Sequence, residues 1–155
     1  MPRKFWLLKS EPDVYPIEQL AKDGTTYWDG VRNYQARNTI RDDMQEGDGV
    51  LFYHSRIKPM AVAGTATVSR AGYPDPTQFD KKSKYFDDKA TEDNPRWFVV
   101  DVTIDEVFDR PVTLDEMREM KPLKEMALLA KGSRLSVQPV RKKEWDAILK
   151  RSKEA

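Results

Sequence analysis

The stretch WDGVRNYQARN, Trp28 to Asn38, decides how the rest of the chain is read. Asp29-Gly30 marks a turn, and the spacing predicts a helix just after it. At 100° per residue Ala36, Ile40 and Met44 fall on one stripe, and Arg37 and Arg41 flank that stripe at i,i+4 with Tyr34 close beside them. Such a helix seats on a core and shows a cationic, aromatic edge towards Trp28. The plainer alternative is a surface helix whose arginines pair with Asp42, Asp43 or Glu46, with Trp28 as a core anchor.

Before this stretch, Phe5 to Leu8 is an apolar run of strand length. It closes at Lys9-Ser10-Glu11-Pro12, a tight corner because the residue before a proline is biased towards extended backbone. Pro16 suits the first turn of a short helix carrying Ile17, Leu20 and Ala21 on one face, with Gly24 beyond its end. After it, Gly47-Asp48-Gly49 breaks the chain before Val50 to Ser55, a buried-strand pattern with polar residues at its C-terminal end. Ala61 to Val68 follows as a strand in which Gly64 signals a bulge or a close backbone approach. Residues 73–95 form a long polar insert, too aromatic for a flexible linker, that reads as an ordered covering loop or a lid. Its acids Asp87, Asp88, Glu92 and Asp93 lack calcium-loop spacing and are expected to be solvated.

Arg96 to Val107 is the longest strand candidate. Thr113 to Glu116 is a capping box, and Pro122 restarts a helix with Leu123, Met126, Ala127 and Ala130 on one face, ending before Gly132. GSRLSVQPV then alternates Leu135 and Val137 against Arg134, Ser136 and Gln138 up to Pro139. A last helix, Lys142 to Arg151, buries Trp145, Ile148 and Leu149. Strands broken by short helices predict a small mixed α/β (α+β) domain over residues 1–155, a partly closed barrel. With no glycine-rich phosphate loop and no β-α alternation, a doubly wound nucleotide-binding sheet is disfavoured.

Composition narrows the partners. The 155 residues contain no cysteine and a single histidine, His54, which excludes disulfides, thiolate metal sites and histidine clusters. No run of apolar residues reaches membrane-spanning length, and the run after the basic N-terminus stops at Lys9 without a small-residue cleavage site. A soluble intracellular monomer without metal or cofactor is the expectation. Net charge is +1, but residues 1–70 carry ten Lys and Arg against nine acids, residues 71–130 nine against fourteen, and residues 131–155 eight against three. A basic C-terminal segment permits a polyanionic partner. A sequence-blind coat for nucleic acid would be more basic overall, so a pocket must do much of the recognition.

Catalytic arrangements are thinly supplied. Ser10 or Ser136 with His54 and Asp29 has no nucleophile-elbow signature, and Glu11 with Asp29 is a carboxylate pair such as turns supply in most domains. A binding pocket fits better: a flipped-out base needs rings for its faces and serine, asparagine or backbone groups for its edge, with cations for the phosphates. Of Trp6, Trp28, Trp97 and Trp145, Trp28 alone sits between a loop and a turn and is the expected platform.

The segments FWLLKSEPDVYPIEQL, WDGVRNYQARN, GDGVLFYHS, YPDP, PRWFVVDV and GSRLSVQPV, in that order, resemble the EVE domain from about residue 4 to about residue 150. The resemblance implies a PUA-like pseudo-barrel of strands with peripheral helices, related to YTH and ASCH domains, and binding of a modified nucleobase in RNA or DNA through an aromatic pocket. Carried over by motif, that pocket uses Lys9 and Ser10, Trp28 with Asn33 and Tyr34, His54 and Ser55, and Leu135, Ser136 and Val137. Arg32, Arg37 and Arg134 are the expected phosphate contacts. The competing expectations are an enzyme acting on the flipped nucleotide with His54 and Asp29 as acid–base groups, and a protein scaffold using residues 73–97.

Overall fold

In a computed structural model, residues 3–13, 15–28, 33–55, 59–130 and 135–154 are described. Six strands form one mixed sheet in the order β2-β5-β4-β3-β1-β6, from β1 (Phe5–Ser10), β2 (Thr25–Tyr27), β3 (Gly49–His54), β4 (Ala61–Pro74), β5 (Phe98–Thr113) and β6 (Val137–Val140). Only β1 and β3 run parallel, with Lys9 beside Tyr53 and Ser10 beside His54; the other pairings are antiparallel. The helices are α1 (Ile17–Asp23), α2 (Tyr34–Asn38, continued by a π-helical turn, Thr39–Asp43), α3 (Leu114–Arg118) and α4 (Lys142–Ser152). The chain is a mixed α/β fold, as the sequence predicts.

The central strands are apolar on both faces because both faces are covered. Trp6 and Leu8 of β1 join Val50 and Phe52 of β3 on the side of Ile17, Leu20, Ala36, Ile40 and Met44. Phe5 and Leu7 join Leu51 and Tyr53 on the other, against Met117, Trp145 and Ile148. The stripe expected of α2 is therefore its buried face: Ala36, Ile40 and Met44 are nearly inaccessible.

Gly64 marks the expected close approach. A Cβ there would run into the Glu106 carbonyl oxygen and the Ile17 side chain, and the β4–β5 register shifts between Val62 and Gly64. The Thr113–Glu116 capping box forms in both directions, and Gly24 ends α1 with φ at 82°.

Three expectations are corrected. Pro122 does not restart an α-helix; the segment makes two short 3-10 turns, Lys121–Leu123 and Ala127–Leu129. Extended backbone at Met126 separates them; Leu123 and Met126 are buried as expected, but Leu128 is buried in place of Ala127 and Ala130. Strand β6 starts only at Val137 and runs through Pro139, tolerable because β6 is a sheet edge. Asp87 is not simply solvated: it accepts from Trp97 Nε1 at 2.8 Å and pairs with Arg96 at 3.3 Å, holding the insert against the start of β5.

Candidate nucleic-acid interface

A cleft of about 420 Å³ opens at the C-terminal end of β1, a volume within the range of small-ligand sites. The end of β1 and the turn after it contribute Lys9, Ser10, Glu11 and Tyr15; β2 and its extension contribute Thr26, Tyr27 and Trp28. The insert closes the far side with Lys84 and Tyr85. The Trp28 N–H continues the β2–β5 pairing by donating to the Val100 carbonyl at 2.8 Å, which fixes the backbone that carries the indole into the cleft lining. Its ring meets Phe52 edge-on at 5.4 Å and Tyr15 edge-on at 6.4 Å. At 8% exposure it is a core residue whose ring also lines the cleft.

The polar groups are few. Ser10 Oγ donates to the Tyr15 carbonyl, folding the Glu11-Pro12 corner back on the strand. The Tyr15 hydroxyl donates to Asp23 at 2.8 Å. Burial pulls the Lys9 ammonium below its ordinary range, and among the described residues no carboxylate pairs with it. A half-desolvated lysine beside tyrosine and tryptophan rings suits an acceptor atom or an anion entering the cleft.

Of the residues expected in the pocket, the cleft brings together Lys9, Ser10 and Trp28. Asn33 caps α2, its Oδ1 accepting from the Ala36 N–H at 3.0 Å. His54 does not line the cleft: its Nε2 accepts from the Ile17 N–H at 3.1 Å, at the start of α1, and its ring packs edge-on to Phe52 at 5.6 Å. Burial lowers its pKa, with Glu18 opposing weakly. Ser55 is tied to β1, its N–H donating to the Ser10 carbonyl at 2.9 Å. Ser136 stands behind Lys9, whose N–H donates to the Ser136 carbonyl at 2.9 Å; the Leu135 carbonyl accepts from Gln138 at 2.9 Å, and Val137 is buried. Arg32, Arg134 and Asp29 lie outside the described residues.

Tyr34 and Arg37 lie apart from the cleft. Tyr34 stacks on Trp97 with ring centres 5.0 Å apart and planes 24° apart, and the Arg37 guanidinium lies 4.8 Å from the Tyr34 ring centre. The sequence reading missed Glu11, Tyr15, Thr26, Tyr27, Lys84 and Tyr85. The available signals were the corner at Pro12, which folds Tyr15 back, and the aromatics of an insert too ordered to be a linker. Among the described residues no group of His, Asp and Glu is placed to hold a metal ion, and no helix is long and apolar enough to cross a membrane.

Comparisons with known proteins show the family and agree with the fold. The EVE domain family matches residues 4–151. Thymocyte nuclear protein 1 of Homo sapiens is 39% identical over 163 residues, covering 93% of this chain and 72% of that protein. The structure of human THYN1 protein in complex with 5-methylcytosine-containing DNA is 38% identical with a TM-score of 0.90, covering 98% of this chain and 99% of that one. A hypothetical protein from Leishmania major is 48% identical with a TM-score of 0.91, covering 97% and 95%. By its sequence and its fold alike, the chain belongs to the EVE domain family.

Proposed function

We propose that the chain is a non-enzymatic reader that takes one modified base of a nucleic acid into the cleft at the end of β1. The observation that carries this reading is the lining: tryptophan and tyrosine rings from two sides with a single half-buried lysine between them. Rings bind the faces of a base, and Lys9 donates to an acceptor on its edge or to the adjoining phosphate. The relative solved with 5-methylcytosine-containing DNA supports DNA as the polymer and a methylated pyrimidine as the first ligand to try.

The absence of chemistry in this reading is supported by His54. Its Nε2 already holds the first N–H of α1, so using that nitrogen as a base would cost the helix its N-terminal hydrogen bond. The test is a titration of oligonucleotides that differ only by methylation of one cytosine, followed by mass analysis of the recovered probe. Preferential binding of the methylated probe, returned unchanged, is expected. Tyr85→Ala should lose about 1–3 kcal/mol, the worth of one base–aromatic stack. Conversion of the probe would make the protein an enzyme, and equal binding of both probes would remove modification reading.

A further inference from the structure

We propose that Tyr34, backed by Trp97 and flanked by Arg37 and Arg96, is a second nucleic-acid contact outside the cleft, stacking a nucleotide that flanks the one held there. This rests on the cleft being a base site. Tyr34 opens α2 and is 48% exposed, among the most exposed large apolar side chains described. An exposed aromatic ring ordinarily pays an entropic cost when a ligand orders it. Here the cost is largely met in advance, because Trp97 is buried under Tyr34 and held from several sides. Gln78 Oε1 accepts from its N–H at 2.9 Å, Gln78 Nε2 donates to its carbonyl at 2.8 Å, and Asp87 accepts from its indole at 2.8 Å.

Arg96 is already paired with Asp87 at 3.3 Å and donates to the Tyr34 hydroxyl, so Arg37 is the charge beside the ring that suits a phosphodiester. The Arg37 and Arg96 guanidinium carbons lie 4.8 and 5.6 Å from the Tyr34 ring centre. Arg37 donates only to neutral acceptors, the Arg96 carbonyl and Asn38 Oδ1, each at 2.9 Å, and hydrogen-bonds no carboxylate among the described residues. A ring with a guanidinium beside it is the pairing that single-stranded nucleic acid uses for base and backbone together. The insert joins this platform to the cleft: Asp87, which pins Trp97, follows two residues after Tyr85, which lines the cleft. A strand with one base in the cleft and its neighbour on Tyr34 would run along that insert.

The experiment compares wild type, Tyr34→Ala, Tyr34→Phe and Arg37→Gln on single-stranded oligonucleotides carrying cytosine or 5-methylcytosine at one central position. Tyr34→Ala should bind both probes about ten-fold more weakly while the methylated-to-unmethylated ratio stays at the wild-type value, because the target base still sits in the cleft. Tyr34→Phe should bind as wild type. Arg37→Gln should reduce the slope of log affinity against log salt by about one contact's worth, roughly 0.7. Shortening the probe from one end should abolish the Tyr34 effect at a defined length. Unchanged affinity in Tyr34→Ala would make the stack purely structural, and a collapse of the ratio would place Tyr34 in the base site; either overturns the proposal. A wild type that shows no preference for the methylated probe would instead overturn the reading of the cleft.

Discussion

The two ends of β1 carry similar residues and differ in what those residues have left to offer. At the N-terminal end, Arg3 lies 5.4 Å from the ring centres of both Phe5 and Trp145, Lys4 and Lys142 stand nearby, and Trp6 is part of the same surface depression. On composition this is as good a nucleic-acid site as the other end. Its polar atoms, apart from the exposed Lys4 ammonium, are committed within the fold. Asp48, 4% exposed, accepts from Trp6 Nε1 at 2.9 Å, from the Gln45 N–H at 2.9 Å and from the Lys4 N–H at 3.2 Å, while Arg3 donates to the Gly47 carbonyl at 2.9 Å. Phe5 and Trp145 lie 4.6 Å apart and fill each other's faces. At the C-terminal end the rings of Trp28, Tyr15 and Tyr85 surround open volume, and Lys9 has no ion-pair partner among the described residues. A binding site is therefore marked by rings set around open volume and by a charge without an ion pair, not by the presence of rings and charges alone.

The largest expected effects test that division. Trp28→Ala should destabilise the domain by about 3–5 kcal/mol, as large-to-small changes of buried aromatics do, and should also weaken oligonucleotide binding by the remaining folded fraction. Asp48→Ala strips three donors of one buried acceptor and should cost about 3 kcal/mol, yet leave affinity per folded molecule unchanged. Urea unfolding, with binding measured where each variant is fully folded, separates the two. If Asp48→Ala weakens binding as Trp28→Ala does, the two ends are not functionally distinct.

Much of this organisation is legible in the sequence, and the remainder is not for identifiable reasons. The stripe Ala36, Ile40 and Met44, the box at Thr113 and the break at Gly47 are local patterns, and local hydrogen bonding and periodicity decide them. The motif order also carries Lys9, Ser10 and Trp28 to the cleft. What escaped depends on contacts distant in sequence. Tyr85 reaches the cleft only because Asp87 and Gln78 fix the insert on Trp97, and no spacing rule links residues 78, 87 and 97. The turns after Pro122 escaped because an i, i+3 spacing serves a 3-10 turn as well as an α-helix. Asn33 and His54 stand at strand ends and turns, where the sequence places binding residues, but each instead satisfies the free N–H groups at the start of a helix.

Lys9 offers a sharper cut through the same comparison, with an effect on binding alone. Lys9→Met keeps the apolar stem and removes a charge whose burial is unfavourable, so stability should hold or rise slightly. Affinity for a methylated oligonucleotide should fall by about 1.5–3 kcal/mol if the ammonium bonds to the base edge or its phosphate. The matching change at the other end, Lys4→Met, should leave affinity near wild type. Equal losses would mean that both lysines act only through long-range attraction, and raising the salt concentration should then erase both.

The smallest effect concerns His54, which the geometry assigns to the fold and not to the ligand. Its Nε2 accepts from the Ile17 N–H, so the neutral ring is the form that caps α1, and burial lowers its pKa below the unfolded value. The unfolded chain therefore binds a proton more readily. The stabilisation is complete above the unfolded value of about 6.5 and is lost as pH falls through the lower, folded value, because stability rises with pH wherever the unfolded state holds more protons. Urea midpoints taken across about pH 5 to 8 should show this dependence in wild type, and its loss should be visible in His54→Gln. Glutamine can still accept the Ile17 N–H through its side-chain oxygen, so that variant should lose no more than about 0.5–1.5 kcal/mol at neutral pH, the net worth of one such hydrogen bond. Affinity per folded molecule should not follow the titration, because His54 does not line the cleft. An affinity that changed with pH in wild type and became flat in His54→Gln would return His54 to the binding site, and would move the boundary between spent and unspent residues from Ser10 on β1 to the end of β3.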